Sequence, residues 1–160
     1  ISRMLREVGY KRAAVVTSIL GASGRIDEFS TIGNSNIAFL QDEHIWTETY
    51  IGSEIDLNEL CNISQKESHK ENSDIFLKTL SGDGDLLATE LVCANAALLL
   101  KVAGIVNDVQ QGVLMAKNAV KSGKAIDKLN EYINYSSSFK KDKIHKKVSF
   151  DDKMLIEGKV

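Results

Sequence analysis

Ala13-Ala14-Val15-Val16-Thr17-Ser18-Ile19, followed one residue later by Gly21-Ala22-Ser23-Gly24, is the stretch on which the fold reading turns. The first part is short, rich in β-branched residues and almost continuously apolar. That is the pattern of a buried strand, and it predicts a place in a parallel or mixed sheet. The second part supplies a flexible turn at the strand's C-terminal end, the edge of an open α/β sheet where ligands bind. Upstream, Ile1, Met4, Leu5 and Val8 form an apolar stripe at helical spacing, with Gly9 as its stop. No capping residue stands in front of that stripe, so the expectation is a chain that opens inside a helix of a longer protein. Downstream, residues 36–40 and 44–50 read as a β-hairpin turned at Asp42-Glu43, with Trp46 packing rather than stacking on a ligand.

After residue 70 the pattern changes to helices. Asn72 or Ser73 opens one that runs to Leu80 and stops at Ser81-Gly82. Residues 86–102 have so few polar breaks that burial of most of their surface is expected. Asp108 caps a third helix, whose apolar Val109, Val113, Ala116 and Val120 recur at three- and four-residue intervals before Gly123. A last helix runs to about Tyr135, and Ser136-Ser137-Ser138 marks a boundary. The fold class predicted is α/β: a partial sheet of about three strands covered by C-terminal helices, a fragment of a larger α/β domain. Residues 1–135 are its folded portion, and residues 136–160 a basic, flexible tail.

Composition narrows the function classes. With 160 residues, 43% apolar and 26% charged, the chain has the make-up of one globular domain. Its net charge of −2 creates no overall basic field for nucleic acid. Residues 139–160 hold seven Lys and four Asp or Glu, a net of +3, which leaves −5 for the remainder. The lysines at 140, 141, 143, 146 and 147 could touch anionic partners, but read rather as a solvated, disordered tail. No apolar run reaches the roughly 18 residues of a membrane span. Cys61 and Cys93 fit no metal-ligand spacing and no disulfide framework, so a reducing, cytoplasmic setting is expected. His44, His69 and His145 are scattered, and no Ser/His/Asp or Cys/His arrangement is apparent; no catalytic side chain is assigned.

Asp27-Glu28 is the informative pair. Two adjacent carboxylates behind a glycine-rich turn can converge on one hard, oxygen-seeking cation such as Mg²⁺. On spacing alone, a solvated acidic turn is the commoner reading of such a dipeptide. The surrounding blocks add context. Gly24-Arg25-Ile26-Asp27-Glu28-Phe29-Ser30 with Ile32-Gly33-Asn34-Ser35, after the apolar strand, resembles the strand–turn–carboxylate segment of anthranilate phosphoribosyltransferases. Glu71-Asn72-Ser73 with Leu80-Ser81-Gly82 is similar to that family's Glu-Asn-Ala start and Leu-x-Gly end of a helix. Asn95-Ala96-Ala97 resembles its following Asn-Ala-Ala helix. Gln111-Gly112-Val113 with Ser122-Gly123-Lys124-Ala125 is similar to its closing helices. The blocks fall in the family's order and cover residues 1–135.

The resemblance implies a parent enzyme that moves a phosphoribosyl group from phosphoribosyl pyrophosphate to the amino group of anthranilate, in tryptophan biosynthesis. It implies that Asp27 and Glu28 bind Mg²⁺ beside the pyrophosphate, and that the complete protein is a homodimer. Asn72 and Asn95 read as capping or buried hydrogen-bonding groups. The family's Gly-Thr-Gly-Gly-Asp loop, its Lys-His-Gly-Asn segment and its anthranilate contacts lie N-terminal to these blocks and do not occur here, so this portion alone is expected to be inactive. Gly82-Asp83-Gly84-Asp85 follows a helix and reads as a helix stop, not a phosphate loop. The turn at residues 18–23 is longer than the family's short His-Gly turn. Two alternatives stay open: a fragment of a pyrimidine nucleoside phosphorylase-like enzyme, and a non-enzymatic, nucleic-acid-binding relative of the same fold.

Overall fold

The structure, a computed structural model, describes residues 1–20, 24–52 and 68–145. The chain divides into two compact units, Ile1–Ile126 and Asp127–Val160. In chain order the elements are α1 (Ser2–Glu7), β1 (Arg12–Ile19), β2 (Arg25–Ile26), β3 (Asn34–Gln41), β4 (His44–Ile51), α2 (His69–Ser81), α3 (Leu86–Val102), α4 (Val109–Lys121) and α5 (Lys124–His145).

The four strands form one sheet in the order β2-β1-β3-β4. Every pairing is antiparallel, which corrects the parallel or mixed sheet expected from the apolar run at 13–19. An unbroken apolar run reports burial, and burial does not say which way the neighbouring strand runs. The β3–β4 hairpin turns at Asp42-Glu43 as expected, and Asp42 takes the left-handed conformation (φ 52°). Gly33, just before β3, has φ +65°, and a Cβ there would lie 2.2 Å from the Ile19 carbonyl oxygen. Only glycine lets the two backbones come that close.

Register places Ala14 opposite Phe39, Val16 opposite Ile37, and Ser18 opposite Ser35. Residues two apart in a strand share a face. Ile37 and Phe39 join Phe29, Ala94, Ala97, Leu98 and Val109 in the main core, with Ala14, Val16 and Tyr50 packed against it. Helix α3 therefore covers this face. At one end of it Lys101 sits 4.2 Å above the Phe39 ring and pairs with Glu48 at 3.3 Å. Trp46 stacks on the Phe39 ring with centroids 5.4 Å apart, so it does pack as read. A second cluster, Cys93, Ala116 and Val120, holds α3 against α4. The two helices approach so closely that a Cβ on Gly112 would come 2.7 Å from that of Ala97.

Helix α3 is less covered than its sequence suggests. Cys93, Ala94, Ala97 and Leu98 are buried, but Leu86 and Leu99 are each 71% exposed. A helix apolar all round carries no signal for which side meets the core. Helix α2 starts earlier than read: Ser68 is its cap, accepting from the Glu71 N–H, and Asn72 lies one turn inside. The polar stretch 64–70 reads from sequence as a loop; its residues 64–67 lie outside the described residues, and 69–70 belong to α2. Helix α5 continues to His145 rather than ending near Tyr135. The Ser136 and Ser138 hydroxyls donate back to the Ile133 and Tyr135 carbonyls, so these serines are absorbed into the helix. The rest of the expected tail, 146–160, lies outside the described residues. On α1, Met4 and Val8 face outward.

Candidate functional site

The turn after β1 is built in two parts. Strand β2 hydrogen-bonds to the last two residues of β1, with Ser18 opposite Ile26 and Ile19 opposite Arg25. The Leu20 N–H closes the loop on the Gly24 carbonyl at 2.9 Å. This brings Asp27 and Glu28 beside the C-terminal end of β1, both exposed. Immediately afterwards the chain dives inward: Phe29 is completely buried and Ser30 is 2% exposed. The Phe29 ring meets Tyr50 edge-on, with centroids 5.1 Å apart, a contact worth about 1 kcal/mol beyond its area.

Burying this backbone requires partners for its polar groups, and each is supplied by a side chain. The Ser18 hydroxyl donates to the Glu28 carbonyl at 2.5 Å. The Phe29 N–H donates to Asn95 Oδ1 at 3.0 Å, and Asn95 Nδ2 donates to the Phe29 carbonyl at 2.9 Å. The Ser30 N–H reaches both serine hydroxyls, Ser18 at 3.1 Å and Ser35 at 3.3 Å. Ser35 in turn donates to the Ser30 carbonyl at 2.9 Å, and the Ile32 N–H to the Ser30 hydroxyl at 3.0 Å. Asn95 is thus a hydrogen-bonding residue, as expected, although half-buried rather than buried. The serine triad carried no sequence signal, because Ser18, Ser30 and Ser35 meet only through the β1–β3 register.

Neither Asp27 nor Glu28 has a side-chain hydrogen bond or ion pair among the described residues. Two uncommitted, exposed carboxylates are all-oxygen donors. They suit a cation of the Mg²⁺ kind, which takes one or two carboxylates and completes its shell with water and substrate oxygens. No cluster of three or more His, Cys, Asp or Glu that could enclose a metal occurs among the described residues. His44 opens β4 and His69 opens α2. Asn72 Nδ2 donates to the Ser68 carbonyl at the start of α2. Gly82 stops α2, as the reading of 82–85 had it, and Asp85, which that reading did not single out, caps α3 through the Leu87 and Ala88 N–H groups. Burial, then the charge of Glu90, raises the Cys93 thiol above its ordinary range, and at 1% exposure it packs as a small core hydrophobe. No helix among the described residues is long and apolar enough to cross a membrane.

A cleft of about 610 Å³ lies between the end of β4, α3 and α4, with Tyr50, Ile51, Val113 and Leu114 in its wall. Its two charges, Glu90 and Lys117, are paired with each other. Asp27 and Glu28 do not line it.

Comparison with known proteins adds to this geometry. The family model described as glycosyl transferase family, a/b domain, matches residues 1–126. The chain is 29% identical over 143 residues to the anthranilate phosphoribosyltransferase of Methanothermobacter thermautotrophicus, covering 85% of this chain and 41% of the relative. It is 34% identical over 126 residues to that of Prochlorococcus marinus NATL1A, covering 78% and 35%. Among solved structures, the anthranilate phosphoribosyltransferase of Thermus thermophilus superposes with a TM-score of 0.66 at 19% identity, covering 84% of this chain and 38% of that one. The Saccharomyces cerevisiae enzyme in complex with PRPP and Mg gives 0.55 at 22%, covering 79% and 36%. The chain spans 35% to 41% of the length of these curated relatives.

Proposed function

Because this chain belongs to the glycosyl transferase family through its a/b domain, we propose that it supplies the C-terminal portion of an anthranilate phosphoribosyltransferase. The observation that carries the reading is the pair Asp27-Glu28, exposed and uncommitted on a turn whose next two residues are anchored in the core. The names of the relatives support the reaction class. The transferase portion reaches to about residue 135, inside α5, which runs on to His145. The complete protein is cytoplasmic and homodimeric, and its remaining part supplies the phosphate-cradling loop and the anthranilate contacts.

In the proposed reaction the anthranilate amine attacks C1′ of the phosphoribosyl group as the C1′–oxygen bond to pyrophosphate breaks. The electron pair of that bond leaves with pyrophosphate, and the amine loses a proton. Mg²⁺, when bound, neutralises negative charge growing on the leaving group and fixes its position. The work of this chain's residues is positional. Asp27 and Glu28 would hold the cation at the end of β1, and the anchored Phe29-Ser30 backbone fixes the chain that follows them. Neither acts as nucleophile or proton carrier. Fixed orientation of this kind supplies a large share of the rate of a two-substrate transfer.

Expressed within the complete protein, Asp27→Ala and Glu28→Ala should each lower kcat by roughly a hundredfold and raise the magnesium concentration needed for half-maximal rate, with anthranilate KM little changed. Assay of phosphoribosyl anthranilate formation reads both effects. The 160-residue chain alone should form no product. Full activity and an unaltered magnesium response in both variants would return the pair to a solvated turn.

A further inference from the structure

We infer that Asn95 is a positioning residue for the Asp27-Glu28 pair, acting from helix α3 through the backbone of Phe29. The inference rests on the metal reading of that pair and adds a residue to it that touches neither metal nor substrate.

Asn95 uses three of the hydrogen-bonding positions of its amide. Oδ1 accepts from the Phe29 N–H, and Nδ2 donates to the Phe29 carbonyl and to the carbonyl of Leu91 in its own helix. The bond to Leu91 fixes the rotamer, so the other two are presented in one orientation. Together they treat Phe29 as a neighbouring strand would, taking both of its backbone groups. The partners are 66 residues apart in sequence, and among the described residues no backbone–backbone hydrogen bond joins α3 to this turn. The Phe29 side chain is wholly buried beneath the same helix, beside Ala94 and Ala97. Phe29 is thus held by side chain and backbone together, one residue after Glu28 and two after Asp27. The serines secure the neighbouring peptides, Glu28 through its carbonyl and Ser30 through both of its backbone groups. Of these anchors, only Asn95 connects the turn to a helix. Groups that orient metal ligands affect metal affinity without contacting the ion.

The test uses the 160-residue chain and paramagnetic Mn²⁺ in place of Mg²⁺. Line broadening of the Asp27, Glu28 and Phe29 amides reports occupancy even at millimolar affinity, and amide exchange reports the clamp itself. Asn95→Ala should speed exchange of the Phe29 amide roughly ten- to hundredfold and weaken Mn²⁺ binding at the turn about tenfold. Asn95→Asp would set a carboxylate oxygen against the Phe29 and Leu91 carbonyls, so it should speed exchange of the Phe29 amide at least as much as Asn95→Ala. Should Asn95→Ala not fold, Asn95→Asp decides by the same criterion. Val120→Ala, in the second core cluster, lowers stability without touching the turn and should leave Mn²⁺ binding unchanged. Wild-type Mn²⁺ affinity in the Asn95 variants, with loss in Asp27→Ala, would overturn the positioning role and leave the metal reading standing. Equal weakening in Val120→Ala would also overturn it, as a general effect of stability. No broadening at the turn in the wild-type chain, or unchanged broadening in Asp27→Ala and Glu28→Ala, would remove the metal reading and this inference with it.

Discussion

Ser18 and Ser35 should be coupled so that removing both hydroxyls destabilises the chain by more than the two single losses added together. Both side chains have no exposure, and they face each other across β1 and β3 with their oxygens 2.6 Å apart. In Ser18→Ala the Glu28 carbonyl loses its donor, while the Ser30 N–H keeps Ser35. In Ser35→Ala the Ser30 carbonyl loses its donor, while the same N–H keeps Ser18. Each single variant thus leaves one carbonyl unpaired and costs about 1–2 kcal/mol. The double variant adds a third orphan, the Ser30 N–H, which neither single exposes, at about 1–3 kcal/mol. Loss of the hydroxyl–hydroxyl contact enters both singles but the double only once, which acts the other way. That contact is weak in effect, because two hydroxyl protons serve three oxygens here. The net expectation is a coupling of about 1 kcal/mol beyond additivity. Urea unfolding followed by fluorescence of Trp46, the one tryptophan, measures all four corners of the cycle at a common m-value. Costs that add to within about 0.3 kcal/mol, or a double variant milder than the sum, would refute the reasoning and show that the Ser30 N–H does not depend on these hydroxyls.

Gly33→Ala should cost at least about 2 kcal/mol, from the left-handed backbone together with the contact a Cβ would make with the Ile19 carbonyl; the same urea titration checks it, and a change under about 0.5 kcal/mol would contradict the close approach. Cys93 holds its proton more tightly folded than unfolded, so the stability it confers is intact below the ordinary thiol value of 9.0 and falls as pH rises above it. Cys93→Ala should flatten that alkaline decline, and thermal midpoints measured across the range would show equal slopes if the thiol plays no part.

Much of the fold was legible because its signals are local. Asp108 does cap α4, with its carboxylate accepting from the Gln111 N–H at 2.7 Å, and the glycine after α2 ends it where the pattern said. The hairpin turn at Asp42-Glu43 was readable for the same reason: a polar pair between two alternating runs has few other uses. Misreadings came where one local signal admits two structures. Three serines break a helix or sit within it, according to whether their hydroxyls turn back on the carbonyls a turn earlier, as Ser136 and Ser138 do.

The sequence by itself determined that strands come first and helices follow, where α2 and α4 stop, and that Asp27-Glu28 follows a strand through a glycine-rich turn, because periodicity, caps and turn residues act within a few positions of themselves. Only the tertiary structure decided the antiparallel direction of β1, the buried side of α3, and the anchoring of the carboxylate turn by Ser18, Ser35 and Asn95. An apolar run announces that it will be buried without naming its partner. The half-buried amide of Asn95 meets Phe29 only once sheet and helix have packed, and at 66 residues' separation no local pattern can specify that bond.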